Sequence, residues 1–481
     1  MTKIYITFII LLFKTTFSFS QNCDCEANFE WVKKTFEEND AGFQYVIKNK
    51  GNQAYIDHNK RILYKVQNTK TLTECTQILY KWLTFFRLGH IDIRLNEETL
   101  QNNDTKLEEK FFDWETYSIK TENFKKYLDK NEISDYEGIW ETKPYKIGIK
   151  KEEGKYIGFI IESGVETWTK GQVKLKFNIE EDKANSVFYM RDHSAVESEN
   201  VEMIGKKYLQ IGNSFLTRIY PEMNDDPKYE RYIKQQNSSN PYLEQLNETT
   251  LYFKIPSMNL AYKNQIDSIL HVNRLKILET ENLIIDIRNN GGGSDATYEE
   301  VLPFIYTNPI SKVGVEFLST ELNNQRMLNL INPEYGFDEK TRKILRIAYE
   351  RLNKNIGNFV NIEDSIINYI KYDTIYSYPK NVGVIINNQN ASSAEQFLLD
   401  IKQSKKVKLF GTTTFGALDM ANMHFVLSPS NEFYLGYCLS KSLRLPDFSI
   451  DDIGIQPDYY IDKSISPYDW IEFVNEKLNE R

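Results

Sequence analysis

Cysteine and histidine are scarce, with four and five residues in a chain of 481. The Cys23-Asp-Cys25 pair has no matching cluster of His or Cys at ligand spacing, so no metal site is expected. Positive charge is also short: 59 Lys and Arg against 68 Asp and Glu leave a formal net charge of −9. General nucleic-acid binding needs a basic surface to neutralise phosphates, and this balance argues against it. Apolar runs are brief. The run Ile4 to Phe13 covers ten residues, well short of the ~20 that cross a bilayer, so no integral membrane segment is expected. No repeat of roughly 20–50 residues recurs, which sets aside solenoids and propellers. Aromatic residues, by contrast, are plentiful: 31 Tyr, 28 Phe and 6 Trp are enough for large cores. At roughly 100–200 residues per domain, the length implies two to four units.

Lys3, the ten-residue apolar run, and Ser18 and Ser20 before Gln21 have the form of a cleaved export signal over residues 1–20. The mature protein is therefore expected in the periplasm or outside the cell. Its cysteines would meet an oxidising environment there. A bridge from Cys23 or Cys25 to Cys75 is compatible with the sequence, which does not choose between them.

Residues 21–130 read mainly as a helical cap region. Thr71-Leu-Thr-Glu74 is a capping box opening a helix to about Phe86, and the stretch His90 to Leu95 alternates like a strand. Over residues 133–220 the period changes to two, predicting a small antiparallel β-barrel or sheet domain. The polar stretch 221–247 reads as a linker. From 248 to 481, apolar strands alternate with helices, which predicts an α/β core with a mainly parallel sheet. Sites in such sheets gather at the carboxyl ends of strands.

Two segments stand at such ends. Asp286-Ile-Arg-Asn-Asn-Gly-Gly-Gly-Ser294 follows a buried strand, and its three glycines permit positive φ and a convergence of free N–H groups on an anion. It lacks Gly-x-Gly-x-x-Gly spacing and any following Gly-Lys-Ser/Thr, so an oxyanion hole stands beside a phosphate site or a plain turn. Asn387-Asn-Gln-Asn-Ala-Ser-Ser-Ala-Glu395 links a strand to a helix, whose N-terminus favours negative charge. A serine there could be an activated nucleophile, although Ser392-x-x-Glu395 is also an ordinary capping box.

These two segments, followed by Gly411-Thr-Thr-Thr-Phe-Gly416 and Gly454-Ile-Gln-Pro-Asp458, resemble the C-terminal-processing and tricorn peptidase superfamily of serine proteases over about Leu251 to Ile461. The resemblance implies a crotonase-like/ClpP-like superfold and Ser392 as nucleophile, with Ser393 immediately behind it. Many members place a dyad lysine directly after the glycine of the Thr-x-Gly turn, but Ala417 follows Gly416 here. What remains is similar to the tricorn-like branch, with a Ser–His–acid arrangement. Gly89-His90 resembles the segment that supplies its base, His424 is the reserve candidate, and Asp451 falls where the acid lies, with Asp in place of the usual Glu. The amide of Ser393, with Gly292 or a neighbouring glycine, would form the oxyanion hole. The Gly-Leu-Gly-Phe loop of a peptide-gripping PDZ module is not evident. The implied activity is that of an exported serine-type endopeptidase or carboxyl-terminal-processing-like peptidase acting on a peptide or protein, without cofactor. The alternative is a binding protein on the same fold that holds a peptide or apolar ligand without cleaving it.

Overall fold

The computed structural model describes residues 24–96, 114–130, 136–180 and 183–480. The expected signal segment and Cys23 lie outside the described residues. The chain divides into two compact units whose segments interleave in sequence. The first takes its described residues from 24–96, 313–368 and 417–452, the second from 114–312, 369–416 and 453–480.

In the first unit, helices Cys25–Asn39, Phe43–Lys50, Asn52–Val66 and Leu72–Leu83 bury their apolar faces in one core. Trp82 is fully buried, with Phe29, Phe36 and Phe86 at centroid distances of 5.8, 5.7 and 5.0 Å. Burying each such side chain contributes about 1.5–3 kcal/mol. Thr71 caps its helix as expected, its hydroxyl accepting from the Glu74 amide at 3.3 Å. A disulfide joins Cys25 to Cys75, which settles the partner that the spacing left open. The core continues onto an antiparallel sheet of strands Asp92–Leu95, Phe433–Ser442, Val315–Leu318 and Phe359–Val360, with Met420–Leu427 also paired to Phe433–Ser442.

The second unit holds a nine-stranded antiparallel sheet between Gly138 and Tyr220, packed around Trp140, Ile147, Ile149, Leu175 and Leu216. The stretch read as a linker is instead structured. Asp226 caps a helix over Pro227–Asn237, with Pro at its first position, and Tyr242–Asn247 is a strand. Its polar composition reflects helix caps and exposed faces.

A six-stranded sheet follows the order Tyr242–Asn247, Thr250–Lys254, Asn282–Asp286, Asn381–Ile386, Val407–Gly411, Tyr459–Tyr460. Its first pairing is antiparallel and the rest are parallel, with Leu283 opposite both Leu251 and Val382, and Val384 opposite Leu409. The nine-stranded sheet and the sheet of the first unit are antiparallel, so the chain is mixed α/β with extensive antiparallel structure. On one face, helix Trp470–Asn479 packs Trp470, Ile471, Val474 and Leu478 against Tyr252, Ile284, Ile385 and Phe410. The sequence predicts one helix over Gln265–Leu278. Two form, Lys263–Val272 and Arg274–Glu279, with Asn273 between them.

Candidate active site

In the second unit, strand Asn381–Ile386 runs through residues 387–392 into helix Ser393–Ile401. Ser392 sits at this turn with φ 60° and ψ −128°, a conformation costly for any residue with a side chain. Its hydroxyl makes no capping bond to the helix and has no partner among the described residues. The capping-box reading fails because Glu395 is drawn elsewhere. Its buried carboxylate accepts from the Thr414 hydroxyl at 2.5 Å and the Gly416 amide at 2.8 Å. The Ser392 oxygen is thus left free at the positive end of a helix. Ser393 is the first helical residue, and its amide also lacks an acceptor among the described residues, as expected at a helix start.

The glycine turn lies against this serine. A Cβ on Gly292 would stand 2.7 Å from Ser392 Cβ and from the Ala391 carbonyl, and Gly292 has φ 98°. Only glycine permits that approach. The Gly292 amide, however, donates to Asn290 Oδ1 at 2.9 Å, so it is not open to an oxyanion as the sequence reading expects. The neighbouring Gly293 amide has no acceptor among the described residues. Two fully buried asparagines, which the sequence reading passed over, set these loops. Asn290 Nδ2 donates to the Ile255 carbonyl at 3.1 Å, and Asn390 Nδ2 donates to the Asn290 carbonyl at 3.1 Å. Both are apolar-core positions by burial, and an amide there persists only because its bonds are made.

His90 belongs to the first unit. It has φ 53°, and its carbonyl accepts from Arg87 Nη2 at 3.0 Å and from the Cys438 thiol at 3.4 Å. Arg87 is itself fixed by a buried two-pronged ion pair with Asp40 at 2.8 and 2.5 Å. On the imidazole, Nδ1 lies 2.5 Å from the Met420 carbonyl. A carbonyl only accepts, so Nδ1 carries the proton and Nε2 of the neutral ring is left bare. Burial, reinforced by the Arg87 charge, holds the His90 pKa below its usual 6.5, while the Met420 bond opposes that shift.

Asp451 does not meet the imidazole in the way that the triad expectation requires. The Met420 carbonyl occupies the Nδ1 side, and the Asp451 carboxylate instead accepts from the amides of Leu418 and Asp419, each at 2.6 Å, and of Met420 at 3.3 Å. The short Asp side chain reaches the strand that carries the carbonyl, not the ring. Burial first, and then the charge of Asp419, push the Asp451 pKa up to about 6.

The remaining histidines serve packing or lie at the surface. His424, the reserve candidate, is buried against Tyr437, and burial drives its pKa down to about 4. His58 bonds the Trp82 carbonyl and stacks on Phe85, His193 stacks on Trp168, and His271 is exposed at a helix end. Among the described residues no group of three or more His, Cys, Asp or Glu could hold a metal ion, and no helix is long and apolar enough to cross a membrane.

Residues 249–461 match peptidase family S41. The fold is similar to the crystal structure of mature CPAF, at 11% identity over 95% of each chain and a TM-score of 0.50. Mature CPAF complexed with lactacystin is similar at 12% identity over 95% of this chain and 97% of that one, also at 0.50. The photosystem II D1 C-terminal processing protease is similar at 12% identity over 95% and 97%, with a TM-score of 0.39. At these identities the two likenesses with a TM-score of 0.50 are of fold alone. No curated protein sequence matches the chain. Residues 249–461 form a peptidase family S41 domain, of the C-terminal-processing and tricorn peptidase superfamily.

Proposed function

We propose that this chain is an exported serine peptidase with a crotonase-like/ClpP-like core, hydrolysing peptide bonds through Ser392 and His90. The observation that carries the reading is the serine turn. Ser392 is held in a strained conformation at a helix N-terminus, its hydroxyl free and the cap abandoned. In the reaction, Ser392 Oγ attacks the peptide carbonyl while His90 Nε2 takes its proton. The amides of Ser393 and Gly293 hold the tetrahedral oxyanion. Collapse expels the amine, which receives the proton from His90. The acyl-enzyme is then hydrolysed by water that His90 deprotonates. Ala417 removes the lysine alternative at the dyad position. The Cys25–Cys75 disulfide supports export, because such bonds persist in oxidising compartments.

The test is turnover of a quenched fluorescent peptide library by the mature protein. Wild type should cleave, while Ser392→Ala and His90→Ala should each lose at least about 10³-fold in kcat, as when one member of a catalytic unit is removed. Full activity in Ser392→Ala would overturn the assignment.

A further inference from the structure

Asp419 lies immediately before strand Met420–Leu427, fully buried, and the triad logic gives it no role. Its Oδ2 accepts from the amides of Ile450 at 2.5 Å and Asp451 at 2.8 Å, and from the Ser449 hydroxyl at 3.2 Å. Its Oδ1 takes a bond from Arg444 Nη2 at 3.2 Å. Asp451 returns the arrangement, gripping the amides of 418, 419 and 420. Each carboxylate therefore fastens the backbone that bears the other, and Asp419 also anchors its own carbonyl to the Ser442 amide at 2.7 Å. The output of this double clamp is the Met420 carbonyl, 2.5 Å from His90 Nδ1.

We propose that Asp419 is a positioning residue for His90: with Asp451 it locks the 418–420 backbone so that the Met420 carbonyl holds the imidazole in its Nε2-basic tautomer. The acid of the triad is then replaced by a carbonyl whose place two carboxylates determine. A bare backbone carbonyl on a mobile segment would accept from either ring orientation, and the lock removes that freedom. Burying two like charges this close is unfavourable, which is visible in the raised pKa of Asp451. A pair retained on structural grounds alone would be better served by a neutral amide or apolar residues.

The inference rests on His90 being the base, and its test separates the two. The probe is ¹⁵N NMR of the histidine-labelled full-length mature protein at neutral pH, with the His90 signals identified by their loss in His90→Ala. Wild type should show protonated Nδ1 and bare Nε2. Asp419→Asn and Asp451→Asn should each give mixed tautomers, and kcat should fall at least about tenfold with KM unchanged. If Asp419→Asn does not fold cooperatively, Arg444→Gln, which removes the cation on Oδ1, carries the same readouts. An unchanged His90 tautomer in folded Asp419→Asn or Arg444→Gln overturns the clamp. A protein that shows the tautomer shifts but never cleaves peptides overturns the peptidase reading and leaves the clamp standing.

Discussion

Ser392 and His90 both hold positive φ, 60° and 53°, where residues with side chains pay about 1–3 kcal/mol. Neither strain is visible in a sequence, because both residues stand where ordinary capping or surface roles are common. At Ser392 the strain makes a prediction that a simple cap would not. Ser392→Gly should abolish hydrolysis yet raise stability by about 1 kcal/mol in urea unfolding, since glycine adopts this backbone freely and no cap is lost. A destabilised Ser392→Gly would mean that the hydroxyl supports the fold. A second prediction concerns pH. His90 is held below 6.5, and Asp451 protonates at about 6, so both lose their working form in mild acid. The acid limb of kcat/KM should therefore have its midpoint below 6.5 and fall more steeply than one proton requires. In Asp451→Asn it should relax to a single-proton slope. For stability the sign is opposite. Asp451, raised from 3.8, favours the fold fully below 3.8, and that contribution is lost as pH rises through about 6. The neutral-pH enzyme thus carries this carboxylate at a cost, in keeping with a functional place.

Among the elements, those with unbroken apolar runs were the legible ones. Asn282–Asp286 and Asn381–Ile386 are almost wholly buried, so their composition announces them, and the turns after them hold Gly292 and Ser392. Legibility stopped at interactions made by backbone groups. Nothing in Asn290 signals that its side chain would occupy the Gly292 amide, and nothing in Leu418 to Met420 signals that its amides and a carbonyl would stand between Asp451 and His90. A carboxylate at the right spacing reports a type of residue, not which atoms it reaches. The helical elements of the first unit depend on a covalent tie as well as on packing. The Cys25–Cys75 bridge closes a separation of 50 residues, which in a chain-entropy view contributes about 2–4 kcal/mol. Cys75→Ala should lower stability by that amount in urea melts followed by tryptophan fluorescence, and dithiothreitol should reproduce the loss in wild type but not in the variant.

At the scale of the whole chain, periodicity divides the sequence into consecutive blocks, whereas the compact units each draw on separated segments. The reason is physical. Period and turn signals report local geometry, but strand Asp92–Leu95 pairs with Phe433–Ser442, over 300 residues away, through hydrogen bonds that leave no local mark. The candidate residues are divided among the segments in the same way: Ser392 belongs to one unit, His90 and Asp451 to the other. The central claim is that Ser392 is a nucleophile activated by His90. It is tested most directly by treating the mature protein with a fluorophosphonate and mapping the adduct by peptide mass. The expected result is a single modification on the peptide carrying Ser392, absent in Ser392→Ala and formed at least about 10²-fold more slowly in His90→Ala. Modification on Ser393 instead, or equal labelling rates with and without His90, would contradict it.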